Sequence, residues 1–185
     1  EEYFKHPLDI LKIWEGGLAS HGAAIGIIFA LWLFSRKTRY SFLWVIDRIV
    51  IVVALAGFFI RMGNLFNSEI YGNATNLAWG FIFPRAGETV ANHPTQIYEG
   101  ICYLAIFFIV YHIYMKNNGR PRPGFLFALF LVTLFSVRFL IEFIKMPQVR
   151  FEQGMFLNMG QLLSVPFIIA GIIILSIKPK ITKSN

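Results

Sequence analysis

The sequence predicts an all-α, polytopic transmembrane helical bundle with about five spans, and three observations carry that prediction. Of 185 residues, 56% are hydrophobic and only 15% are charged, well below the quarter or so of a soluble domain. Five segments, at about 17–35, 42–66, 97–115, 124–144 and 158–177, approach the ~20 apolar residues that a helix needs to cross a bilayer. The cations gather in alternate connections, SRKTRYS (35–41), MKNNGRPRPG (115–124) and the tail KPKITKSN. No run alternates as a membrane β-strand would, and no repeat period is visible.

The first segment, 17–35, opens on Ser20 and His21 followed by Gly22, Ala23, Ala24 and Gly26, small residues that permit close approach of a helix or a ligand. The second, 42–66, begins with Asp47 and Arg48, whose charges are expected to snorkel to the interface. It ends by passing from IVIVVALAGFFI into RMGNLFNSEIYG (61–72). The stretch 67–96 contains Gly72, Gly80, Pro84, Gly87 and Pro94 without periodicity. It reads as an outside loop with short strands around WGFIF (79–83), and loops of that length are often functional. The third segment follows His93 and Pro94, proline favouring a helix start, and places Glu99 near its amino end, where a carboxylate suits the helix dipole. Cys102 and His112 lie within it as structural residues. The fourth carries Arg138 and Glu142, and the fifth runs through 158–177.

The positive-inside rule puts the three basic stretches in the cytoplasm, residue 1 outside and the carboxyl terminus inside. The net charge of +7 is therefore an orientation signal and not a nucleic-acid patch. A single cysteine excludes an intrachain disulfide and a cysteine-based metal site. The chain starts at Glu1 without a signal-peptide pattern and reads as a fragment.

Charged groups inside a bilayer are costly, so each is a site candidate. A rise of ~1.5 Å per residue puts Arg61 about 28 Å from the inner end of its segment, Arg138 about 21 Å and Glu142 about 27 Å. With His21, His93 and Glu99, all fall in the outer half. Arg61, Asn64 and Ser68 are spaced to share one helical face, with Asn67 beside them. Two readings of Arg61 stay open: a planar fork for an anionic oxygen, or a side chain reaching the outer headgroups while Asn64 and Asn67 cap the helix. Arg138 and Glu142, at i and i+4, either pair with each other or leave Glu142 orienting Arg138. Two arginines on different helices suit a phosphate diester, and at an outer leaflet the abundant diester is a phospholipid headgroup. No G-x-S-x-G, P-loop, H-E-x-x-H or paired cysteines occur. A transporter or flippase that binds a lipid headgroup is the alternative, although neither inverted repeats nor broken midplane helices are evident. A hydrolase built on Ser20 and His21 fails because neighbouring helical positions do not face each other.

At these residues the sequence resembles the prolipoprotein diacylglyceryl transferases. Five blocks run in order: GGLASHGAAIG (16–26), DRIVIVVALAGFFIRMGNLFNSEIYG (47–72), HPTQIYEG (93–100), RFLIEFIK (138–145) and NMGQLLSVP (158–166). The resemblance implies transfer of the diacylglyceryl group of phosphatidylglycerol to the thiol of the lipobox cysteine of a preprolipoprotein, forming a thioether and releasing glycerol 1-phosphate. It implies His21, Arg61, Arg138 and Glu142 as catalytic residues. Arg61, Asn64, Asn67, Glu69, Gly72, His93, Gln96, Tyr98, Glu99 and Arg138 are implied to bind substrate. His21 is the candidate base for a thiol of pKa ~8.5, and the reaction requires neither metal nor organic cofactor. The expected partners are phosphatidylglycerol, the signal peptide of a preprolipoprotein and membrane lipids, and no nucleic acid. The expected location is the bacterial inner membrane, multi-pass, with the site toward the outer leaflet.

The resemblance also implies further segments ahead of the histidine motif, so residues 1–185 are expected to be a single integral-membrane transferase domain lacking them. The sequence departs from the family at His21-Gly22-Ala23, where a second glycine is usual. It departs again at MPQV after IEFIK, which lacks an acidic residue after the proline.

Overall fold

A backbone in an apolar medium has to satisfy its own N–H and C=O groups, and among the described residues the apolar segments do so as five α-helices. The computed structural model describes residues 20–146 and 156–177, with side chains described from residue 25 onward. The expectations placed on 1–19, on most of the MPQV stretch and on the lysine tail lie outside the described residues. The helices are α1 (Ser20–Lys37), α2 (Phe42–Phe66), α3 (Thr95–Lys116), α4 (Phe125–Ile141) and α5 (Met159–Ser176). A 3-10 turn, Glu142–Ile144, continues α4.

The helices α2, α3, α4 with its 3-10 extension, and α5 are each long and apolar enough to cross a membrane. The 18 described residues of α1 carry Arg36 and Lys37 in the last turn, and α1 is not among the helices that meet that standard. The chain is thus an all-α polytopic membrane protein. The strands expected near 79–83 do not form. That region has only single antiparallel bridges, Phe81 with Asn92 and Ala74 with Asn92, because the glycines and prolines around it interrupt any longer ladder.

The chain divides into two compact units, Glu1–Val45 and Ile46–Asn185. In the first, Arg36 lies 5.8 Å over the Trp32 ring, and Tyr40 stacks on Trp44 at 3.9 Å. In the second, α4 packs against both α3 and α5. The α4–α5 contact is close because Gly171 has no side chain. A Cβ there would come within 2.7 Å of Val132 Cγ2 and 2.9 Å of the Ala128 carbonyl, the small-residue contact typical of membrane helices. Phe59, Ile60, Ile101, Phe108, Leu140 and Ile173 point outward and are exposed. Exposed apolar side chains of this kind suit helices long and apolar enough to cross a membrane.

At the end of the bundle opposite Arg61, the structure corrects the snorkelling expected of Asp47. Asp47 is only 1% exposed. Its Oδ2 accepts from the Gly124 N–H at 2.6 Å and its Oδ1 from the Phe127 N–H at 2.8 Å. It caps α4 from a neighbouring helix, satisfying two of the amide donors that a helix start leaves open. Arg48 donates to the Gly119 carbonyl at 2.6 Å and lies over the Tyr114 ring. Arg122 donates to the carbonyls of Ile174 and Leu175 at the end of α5. Cations here occupy the carbonyl-rich helix ends, where the dipole favours them.

Candidate active site

Arg61 sits near the carboxyl end of α2 and is 9% exposed. Its Nη1 donates to Asn64 Oδ1 at 3.3 Å, and Asn64 Nδ2 donates to Glu69 Oε2 at 3.0 Å. Asn64 therefore ties the arginine to the turn beyond the helix. The face-sharing expected of Ser68 fails, because α2 stops at Phe66 and Ser68 turns to a φ of 60°. Asn67 is exposed, and only its backbone continues the helix, donating to the Gly63 carbonyl.

Ile70 also lies in the left-handed region, at φ 57°, where a β-branched residue is strained. Such strain persists only when the surroundings over-determine it, and here they do. Thr95 Oγ1 donates to the Ile70 carbonyl at 2.9 Å, and Gln96 Nε2 donates to the Glu69 carbonyl at 2.6 Å. Both side chains are fully buried at the start of α3. The other amide atom of Gln96, Oε1, is a buried acceptor without a partner among the described residues.

Gly72 follows the turn. Its N–H donates to the His93 carbonyl, and the Asn73 N–H donates to the Ile144 carbonyl, both at 2.8 Å. A Cβ at Gly72 would lie 2.5 Å from the Ile144 oxygen and 2.8 Å from His93 Cβ, so only glycine lets the three chain segments meet. That meeting brings residues 142–145 onto α2 and α3.

The centre of the cluster is Glu99, fully buried. Its Oε2 lies 2.6 Å from Arg61 Nε and its Oε1 lies 2.8 Å from Lys145 Nζ. Lys145 also reaches Glu142 Oε2 at 3.1 Å. An Arg138–Glu142 pair, one of the two sequence readings, does not form. The α-helix ends at Ile141 and Glu142 enters the tighter 3-10 turn, which carries it off the Arg138 face and toward Lys145. Its carboxylate rests against the amino end of α5, where a Cβ on Gly160 would lie 2.5 Å from Glu142 Cδ. A helix start favours a negative group at that position. Asn158 caps the same helix in a reciprocal box with Gln161 and donates to the Glu142 carbonyl at 3.3 Å.

Arg138, half-buried in the last turn of α4, has a guanidinium with no hydrogen bond or ion pair among the described residues. The ion pairs thus set two cations, Arg61 and Lys145, against two buried carboxylates, Glu99 and Glu142, with Glu69 joined to Arg61 through Asn64. Sequence reasoning missed Lys145. The available signal was its position in IEFIK, three residues after Glu142, the spacing of a helical ion pair.

The remaining candidates lie apart from this network. His93 Nδ1 is 3.4 Å from the Tyr98 hydroxyl, which accepts from Trp79 Nε1 at 2.9 Å. Beyond them Tyr71 donates to Glu88 Oε1 at 2.8 Å. The Glu88 carboxylate, with a smaller contribution from burial, holds the Tyr71 phenol above its ordinary range. His21 lies in α1, and its side chain is outside the described ones.

Chemically, the cluster offers one guanidinium fixed by a buried carboxylate and a second with no partner among the described residues. A family model described as prolipoprotein diacylglyceryl transferase matches residues 2–177. The phosphatidylglycerol–prolipoprotein diacylglyceryl transferase of Tolumonas auensis is 49% identical over 181 residues, covering 97% of this chain and 69% of that protein. The enzyme of the same name from Porphyromonas gingivalis is 48% identical over 197 residues, covering 98% of this chain and 70% of that protein. That of Chloroherpeton thalassium is 42% identical over 174 residues, covering 94% and 65%.

Proposed function

Because the chain belongs to the prolipoprotein diacylglyceryl transferase family, we propose that it moves the diacylglyceryl group of phosphatidylglycerol onto the lipobox cysteine thiol of a prolipoprotein. It is a transferase of lipoprotein maturation. The single feature that most supports these roles for its residues is the two-arginine cluster at one end of the unit formed by residues 46–185. Arg61 is anchored there through Nε to Glu99, and Arg138 has no partner among the described residues.

In the reaction the thiolate sulfur attacks the glyceryl carbon bonded to the phosphate oxygen. A C–S bond forms and the C–O bond breaks. The electron pair goes to the phosphate, and glycerol 1-phosphate leaves as a dianion. The thiol proton goes to a base, for which His21 is the candidate. Arg61 and Arg138 hold the diester and stabilise the charge that grows on the departing phosphate, an effect strongest in a site shielded from water. Glu99 keeps Arg61 oriented, and Lys145 keeps two nearby carboxylates from cancelling the field of the arginines. Asn64 and Glu69 fix the far side of the Arg61 fork, while Gly72 and Gln96 hold the turn that carries them. The site faces the outer leaflet of the inner membrane, where both the lipid and an exported cysteine are present, and the carboxyl terminus is cytoplasmic.

The test is to incubate the protein with phosphatidylglycerol and a lipobox peptide and to look by mass spectrometry for a diacylglyceryl adduct on the cysteine. An adduct formed by the parent and absent with Arg138→Ala is the expected result. A folded parent that binds the lipid but forms no adduct would favour lipid binding or transport without chemistry.

A further inference from the structure

Glu99 is not the only contact that fixes Arg61. Tyr103 follows Glu99 by four residues on α3, so the two share one face of that helix. Tyr103 is 4% exposed, and the Arg61 guanidinium carbon lies 5.9 Å over the centroid of its ring. The ring fits because of a glycine on the facing helix. Gly57 precedes Arg61 by one turn of α2, and a Cβ there would lie 3.0 Å from Tyr103 Cδ2. Gly100 admits the same helix contact from the other side, since a Cβ on it would meet Met62 Cε at 2.8 Å.

We propose that Tyr103 is a positioning residue for the transferase reaction, its ring face acting as a platform that holds the Arg61 guanidinium in the plane required by the phosphate. Glu99 at Nε and Asn64 at Nη1 hold two nitrogens of the guanidinium. The Tyr103 ring adds a contact to its face, which edge-on bonds do not supply. Cation–π attraction is strongest where both groups are desolvated, and guanidinium stacks on aromatic faces more readily than an ammonium. The platform's effect belongs mainly to the turnover step. Phosphate charge rises as the C–O bond breaks, so a misaligned fork loses more in the transition state than in the ground state.

This inference rests on the transferase reading, and adduct formation by the parent checks that reading separately. The decisive series replaces Tyr103 with phenylalanine and then with mono-, di- and trifluorophenylalanine, which keep the ring's shape while progressively weakening its negative face. Rates of adduct formation are measured on the full chain with phosphatidylglycerol and a lipobox peptide. Tyr103→Phe is expected to stay within about twofold of the parent, since the ring is retained. Along the fluorinated series kcat is expected to fall stepwise by about tenfold in total, with KM for the lipid within about twofold. A purely structural ring would leave kcat flat across the series, and that result overturns the proposal. Loss of activity already at Tyr103→Phe would assign the role to the hydroxyl and overturn it as well. A parent that forms no adduct would remove the transferase reading and the inference with it.

Discussion

Lys145 Nζ lies 2.8 Å from Glu99 and 3.1 Å from Glu142, so one buried ammonium joins the start of α3 to the end of α4. Through Glu99 it reaches Arg61, at 2.6 Å on the other carboxylate oxygen. The chain of charges runs Arg61, Glu99, Lys145, Glu142, alternating in sign, and all four residues are buried. Taking such groups out of water is expensive, and the arrangement holds only while each charge keeps its partner.

Lys145→Met removes the central cation and leaves Glu142 with no cation partner among the described residues. Breaking a buried pair in this way is expected to cost about 3–5 kcal/mol, read as a lowered thermal midpoint in detergent micelles. Lys145→Met combined with Glu142→Gln should recover part of that loss, because Glu99 still has Arg61. Equal destabilisation of the single and double variants would mean that packing of the lysine stem, and not charge balance, holds this end of the bundle.

Arg138 behaves oppositely, having no counter-ion among the described residues. Arg138→Lys is therefore expected to leave the thermal midpoint nearly unchanged while lowering adduct formation by about two orders of magnitude or more. The charge survives but the planar fork does not. Near-normal turnover would show that the arginine serves only as a counter-charge.

The apolar runs made the helices legible, because crossing length and composition are local properties of the chain. Arg61, Glu99 and Glu142 were legible for the same reason, as charges where charges are costly. Their pairing was not. Glu142 read either as the i+4 partner of Arg138 or as a residue orienting it, and the switch from α-helix to 3-10 turn at Ile141 sends it to Lys145 instead. Asp47 looked like an interfacial charge because the amides it caps, Gly124 and Phe127, lie 77 and 80 residues away. The left-handed turn at Ile70 was equally hidden, since propensity argues against it and only Thr95 and Gln96 enforce it.

Asp47→Asn tests the capping role. An amide has one acceptor oxygen where the carboxylate uses two, so either Gly124 or Phe127 would face an NH2 group. The expected cost is about 1–3 kcal/mol, again seen in the thermal midpoint, with kcat and KM of the folded fraction unchanged. A fall in kcat at unchanged stability would instead place Asp47 in the reaction machinery.

Two glycines near the site separate crowding from backbone freedom. At Gly63, within α2, an added Cβ meets nothing within 4 Å. Gly63→Ala should therefore stabilise the protein by up to about 0.5–1 kcal/mol, since alanine loses less freedom than glycine in a helix. At Gly72 the same methyl group would lie 2.5 Å from the Ile144 carbonyl oxygen and 2.8 Å from both His93 Cβ and Thr95 Cγ2. The first neighbour is backbone, so relief requires moving residues 142–145, and with them Lys145 and Glu142. Gly72→Ala should thus lower both stability and turnover, and lipid addition should restore neither. If Gly72→Ala retained full activity, residues 142–145 could shift without consequence, and the link between this glycine and the ion network would fail.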